Sequence, residues 1–151
     1  MERFTHETET GERHNYNFAV LRKKVPGEVP ATESEEGDVI GMMGIVSISP
    51  ENGPEVGYLF LPETWGKGYA TEALTGLVEA WWRLPTPEHG FSGSGEEAGE
   101  VGFLRAVTHK ANLGSAKVLT KCGWTVVGEG VDGGGEKKFG SLYWMLRRPG
   151  V

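Results

Sequence analysis

The stretch EVGYLFLPETWGKGYATEALTGLVEAWW, residues 55–82, decides how this chain folds. Val56 to Leu61 is an apolar and aromatic run that stops at Pro62, a residue with no N–H to give to a sheet. It reads as a strand. Ala70, Ala73, Leu74, Leu77, Val78 and Trp81 then recur at the i, i+3, i+4, i+7 spacing of an amphipathic helix. Between the two lies Trp65-Gly66-Lys67-Gly68-Tyr69-Ala70. Small residues there bare the backbone where a helix presents unpaired N–H groups and the positive end of its dipole. Such a turn cradles anions, phosphate above all. A P-loop is excluded, because Lys67 precedes the second glycine. A dinucleotide fingerprint fits poorly, with Thr71 where a third small residue belongs. On these six residues alone, a glycine turn with no ligand stays open.

Upstream, Tyr16–Leu21 reads as a strand that runs into a basic step at Arg22. Pro26–Asp38, with two prolines and five acidic residues, reads as a loop. Val39–Ile48 is nearly continuously apolar, the pattern of a central strand covered on both faces, and Gly41 and Gly44 within it suggest a bulge or close packing. The turn Ser49–Pro54 joins it antiparallel to the Glu55 strand. Downstream, Leu84–Glu100 is long for a helix-to-strand connection and reads as an insertion or a lid. Val101–His109 is a strand, and Ala111–Lys121 holds a second helix with Leu113, Ala116, Leu119 and Thr120 inward. Gly123 closes that helix as a left-handed cap. Trp124–Val127 is a strand, Gly128–Gly140 a flexible connection and Leu142–Leu146 the last strand. Residues 1–15 read as a loose arm or short helix, so one domain over 1–151 is expected.

Composition limits the functions available. With 38% hydrophobic and 24% charged residues in a 151-residue chain, a single soluble domain with a real core is expected, in the cytoplasm. A net charge of −6 argues against general nucleic-acid binding, and no apolar run approaches a membrane span. The single cysteine, Cys122, rules out an internal disulfide and fits a reducing compartment. No His/Cys/Asp cluster has metal-ligand spacing.

Two motifs together carry a family resemblance. Gly68 and Ala70 match the fourth and sixth places of Gln/Arg-x-x-Gly-x-Gly/Ala, while Trp65 departs from its first place. Asn112-x-x-Ser115, followed by Lys121-Cys122-Gly123-Trp124, matches an Asn-x-x-Ser/Ala helix that ends in Lys-x-Gly-Phe. In that order, over about Tyr16–Arg147, the chain resembles the GNAT superfamily of N-acetyltransferases, and WGKGYATEAL resembles its Rim branch of ribosomal-protein N-terminal acetyltransferases. The resemblance implies an α+β fold of three-layer type, a mixed and mostly antiparallel central sheet flanked by helices. It also implies acetyl-CoA as co-substrate and no metal. The pyrophosphate would lie on the Trp65, Gly66, Lys67, Gly68, Tyr69, Ala70 and Thr71 turn. The pantetheine arm would bond the open edge of the strand at Tyr58, Leu59, Phe60 and Leu61 where the Val101–His109 strand splays away, with Asn112 and Ser115 as polar contacts.

Acetyl transfer needs a neutral amine, a polarised carbonyl and a proton for the leaving thiolate. Glu55, opening its strand where some relatives carry a glutamate, is the candidate base, against a reading as a solvated strand-end carboxylate. The family's tyrosine acid is replaced by Leu119, and Tyr58, Tyr69 or Tyr143 cannot take its place on sequence grounds. His109 sits near the same strand end as a substrate-side or idle surface residue. An α-amine near pKa ~7.7–8.0 is partly neutral at pH 7 and lysine near ~10.4 almost wholly charged, so a weak base favours α-amines or small amines. The competing reading is a catalytically silent acyl-CoA-binding module. The family opens with a Leu-x-Leu-Arg strand and a helix, and nothing in Met1–Asn15 reads as that strand. The resemblance therefore implies that both are missing and that Tyr16–Leu21 is an open edge, with either a homodimer formed through it or a weakly active monomer that still binds CoA.

Overall fold

The structure, a computed structural model, describes residues 3–4, 16–27, 37–49, 52–84, 102–132 and 138–150. Seven strands form one sheet in the order β1-β2-β3-β4-β5-β7-β6. They are β1 (Arg3–Phe4), β2 (Tyr16–Arg22), β3 (Asp38–Ser49), β4 (Gly53–Phe60), β5 (Phe103–His109), β6 (Thr125–Asp132) and β7 (Phe139–Arg147). Helix α1 (Tyr69–Arg83) follows β4, and α2 (Leu113–Lys121) follows β5. Every strand pair is antiparallel except β4–β5. The expected α+β class, a mixed and mostly antiparallel sheet with flanking helices, is what the chain forms.

Both helices pack on one face of the sheet. Cys122 Sγ, at the end of α2, lies 3.7 Å from the Thr71 carbonyl and 3.8 Å from Thr75 Oγ1 on α1. Period-2 alternation sends Met43, Ile45, Val56, Phe60, Leu104, Ala106 and Trp144 to that face, where they meet Leu74, Leu77 and Leu119 in one core. Each fully buried leucine of this set contributes about 1.5–3 kcal/mol of burial. On the opposite face Val39, Met42, Val46 and Leu59 are exposed. The reading of Val39–Ile48 as covered on both faces is thereby corrected: its long apolar run serves one face, and the other stays open to solvent.

Several sequence boundaries shift for identifiable reasons. The Trp124–Val127 strand continues through Asp132, so Gly128 and Gly130 belong to a strand and not to a flexible connection. Gly130 lies under the Tyr143 ring, where an added Cβ would sit 2.1 Å from the phenolic oxygen. The glycine is there for close packing. The final strand begins at Phe139 and not at Leu142. Leu113 is 68% exposed and so is no part of the inner face of α2, whereas Leu119 is fully buried. The outer edge of β2 is partly paired, because Arg3 and Phe4 lie opposite Phe18 and Asn17. Two residues are too few to leave a pattern in sequence. Residues 5–15, 28–36, 85–101 and 133–137, which include the bulk of the expected acidic loop and the insertion or lid, lie outside the described residues.

Candidate active site

Strands β4 and β5 touch at one register position, Glu55 opposite Arg105, and then part. Beyond it both remain strands, to Phe60 and His109, with no pairing between them. The expected splay is therefore present. Leu61 N–H donates to the Ile40 carbonyl of β3 at 2.9 Å. Alternation along the strand then turns the backbone groups of Leu59 and Leu61 towards β3 and those of Tyr58 and Phe60 into the gap. Of the four residues expected to offer their backbone, the structure brings two, Tyr58 and Phe60, to the open side. The Leu59 side chain, 72% exposed, stands on the face away from the helices.

At the wide end of the gap lies the glycine turn. Gly66 and Gly68 both adopt positive φ, 72° and 86°, which side-chain-bearing residues rarely adopt. The first backbone bond of α1 runs from Glu72 N–H to the Gly68 carbonyl at 3.0 Å. The N–H groups of Tyr69, Ala70 and Thr71 precede that bond, and no side chain caps the helix start. An added Cβ at Gly66 or Gly68 would meet nothing within 4 Å, so the space over the turn is open. Free N–H donors, a helix dipole and open space fit a phosphate group. Trp65 serves the turn in a different way. Its indole N–H donates to the Phe60 carbonyl at 2.9 Å, tying the turn to the end of β4. Lys67, Lys117 and Lys121 are exposed.

On the helix side of the gap, Asn112 caps α2 by accepting the Ser115 N–H at 3.0 Å through Oδ1. Its amide NH2 remains available as a donor. The Tyr58 hydroxyl crosses from β4 to donate to the Ser115 carbonyl at 3.3 Å, so Tyr58, Asn112 and Ser115 meet at one place. Burial pushes the Tyr58 phenol above its ordinary 10.0. Cys122 packs half-buried at the helix end, and Gly123 caps α2 with φ 81°, as expected.

On the opposite face, Glu55 lies inside β4, which begins at Gly53. The carboxylate is not a solvated strand end. Its Oε2 sits 3.4 Å from Arg105 Nη2, and both side chains are largely shielded. This ion pair pins the two strands just below the point where they part. Arg105 is the residue sequence reasoning missed; the two partners are distant in the chain, and nothing local links them. His109 Nδ1 accepts the Ala111 N–H at 2.9 Å, so in a neutral ring the hydrogen lies on Nε2. The ring stacks on Phe139. Its outward nitrogen is thus a donor and no base. Tyr143 donates to Asp132 at 3.4 Å, and Tyr69 sits in the first turn of α1. Among the described residues no group of three His, Cys, Asp or Glu is placed to hold a metal ion, and no helix is long and apolar enough to cross a membrane.

A sheet with one parted parallel pair, opening beside a glycine-led helix, defines an acyltransferase fold. The chain belongs to the GNAT acetyltransferase family: the family's sequence model, an acetyltransferase (GNAT) domain, matches residues 1–125. Similar solved structures include a ribosomal-protein-S5-alanine acetyltransferase from Vibrio fischeri (TM-score 0.63, 18% identity), which matches 90% of this chain and 63% of its own. An acetyltransferase of the GNAT family from Bacillus anthracis aligns at TM-score 0.62 and 20% identity over 87% and 65% of the two chains. A spermidine N-acetyltransferase mutant from Vibrio cholerae aligns at 0.61 and 13% over 89% and 66%. The chain thus spans just under two thirds of the length of these three structures. At these identities the likeness shows the fold. No curated protein matches the sequence.

Proposed function

We propose that this chain transfers the acetyl group of acetyl-CoA directly to a primary amine within a ternary complex. One observation carries the reading: a gap between parallel strands runs from an open, positive-φ glycine turn at a helix start to a shielded carboxylate at its closed end. In this reading the Gly66–Thr71 backbone holds the pyrophosphate, and the gap-facing backbone groups of Tyr58 and the N–H of Phe60 take the pantetheine arm. Asn112 and Ser115 add polar contacts from the helix side. The co-substrate supplies the activated acyl carbon. The chain's own residues bind and orient it, and Glu55 takes the proton from the incoming amine, directly or through water.

The acceptor proposed is an α-amine of a peptide or protein, or a small amine. One oxygen of the Glu55 carboxylate faces Arg105, and acceptors already partly neutral at pH 7 ask least of a base. The similar structures include enzymes named for ribosomal proteins and for spermidine, which fall in the same two groups. Release of CoA thiol from acetyl-CoA, measured over a panel of N-terminal peptides, polyamines and small amines, tests this reading. CoA binding with no turnover on any acceptor favours the alternative, a catalytically silent acyl-CoA-binding module. We further propose a cytoplasmic homodimer. Its supports are that, among the described residues, β1 pairs with Phe18 and Asn17 alone on the outer edge of β2, and that Val39, Met42, Val46 and Leu59 are exposed on one face. A monomer at micromolar concentration by sedimentation rules the dimer out.

A further inference from the structure

Resting on the acetyl-transfer reading, we propose that Tyr58 is the proton donor to the sulfur that leaves when the acetyl group is transferred. The turn of α2 that overlooks the gap ends on Leu119, fully buried and without a proton to give. Tyr58 brings a phenol to that same turn from the neighbouring strand, its hydroxyl resting on the Ser115 carbonyl. A carbonyl inside a helix already accepts the N–H four residues on, which here is that of Leu119. The 3.3 Å contact is a long O–H···O bond, so it parks the hydroxyl at the gap without consuming it. The ring is fixed by edge contact with Phe60, centroids 6.3 Å apart. Tyr58 also lies on the strand whose open backbone edge faces the gap.

Three other titratable side chains border this region. Cys122 Sγ contacts Thr71 and Thr75 on α1. Tyr143 donates to Asp132, and His109 stands exposed at the end of β5. Burial holds the Tyr58 proton in place before reaction. In water a phenol near ~10 is a weaker acid than a thiol near ~8.5. Both conjugate bases are anions, however, and the burial that raises the phenol also penalises a bare thiolate beside it. Both acids are therefore weakened together, and the proton moves to sulfur as the C–S bond breaks.

The step balances. The amine lone pair forms a C–N bond at the acyl carbon, the C–S bond breaks, and its electron pair goes to sulfur with the Tyr58 proton. Glu55 takes the proton that the nitrogen gives up and passes it to solvent, and solvent returns one to Tyr58. The net products are the amide and the free thiol.

The test compares CoA with desulfo-CoA, which lacks the sulfur, by calorimetry on the wild type and Tyr58→Phe. A donor to sulfur gives the wild type about a three- to tenfold preference for CoA, the size of one hydrogen bond, and Tyr58→Phe none. At saturating acceptor, kcat of Tyr58→Phe falls about 100-fold or more, while KM for acetyl-CoA stays within about threefold. A wild type with no preference overturns the proposal whether or not the variant folds. So does a Tyr58→Phe protein whose kcat matches the wild type. A wild type that binds CoA but turns over no amine overturns the transfer reading and the donor role together. Turnover that survives Tyr58→Phe overturns the donor role alone.

Discussion

Replacing Gly68 separates geometry from charge at the start of α1. Gly68 holds φ 86° with nothing within 4 Å of an added Cβ, so a side chain there meets conformational cost and no clash. That cost is about 1–2 kcal/mol for a left-handed L-residue, and less for Asn and Asp, whose short side chains bond locally. Gly68→Asn and Gly68→Asp share this cost and nearly the same shape. They differ in one negative charge. A carboxylate about 5 Å from a phosphate charge, at an effective dielectric near 20, costs about 3 kcal/mol, which is about 100-fold in affinity. Calorimetry should therefore show Gly68→Asn binding CoA slightly less well than wild type, and Gly68→Asp at least about 100-fold less well. Raising the ionic strength should narrow the Asp–Asn difference, since the turn is exposed. Thermal melts of the two variants should agree, with Tm within a few degrees of wild type. Equal CoA affinities for Asn and Asp would refute a phosphate site at this helix start.

Glu55→Gln should lower kcat mainly near neutral pH and recover part of it at alkaline pH, where more of the amine is already neutral; a pH–rate profile identical to wild type removes Glu55 as the base. Tyr58, raised above 10.0 by burial, makes folding stability fall as pH climbs. The sign follows from proton counts: above about pH 10 the unfolded chain releases the phenolic proton while the folded chain retains it, so the folded state binds more protons and loses ground. The contribution is fully present below pH 10.0 and disappears as pH rises through the higher folded value. Urea melts between pH 9 and 11 should show a shallower decline for Tyr58→Phe, and parallel slopes would contradict the burial.

How much of this was legible in the sequence depends on how local each cause is. Helix α1 was written in the spacing of Ala70, Ala73, Leu74, Leu77 and Val78, and its glycine lead in Gly66 and Gly68, because each cause lies within a turn of its effect. The capping role of Asn112 is local in the same way, three residues from the N–H it accepts. The contacts that build the gap are not. Glu55 finds Arg105 on another strand, and Tyr58 reaches Ser115 across 57 positions. Trp65 departs from the family motif in sequence, and only the structure shows that its indole holds the Phe60 carbonyl and so anchors the turn. The glycines at 128 and 130 resembled a flexible connection because no pattern in their neighbourhood reveals the Tyr143 ring against which Gly130 packs.

The central claim is acetyl transfer to an amine, and continuous thiol detection with acetyl-CoA tests it most directly. The measurement sets CoA release against concentration for N-terminal peptides, polyamines and small amines, with mass spectrometry of the acceptor. The account predicts saturable CoA release with at least one of these amines, an acceptor heavier by one acetyl group, and loss of both signals in Gly68→Asp. CoA bound tightly by calorimetry, with no acceptor acetylated anywhere in the panel, would contradict it.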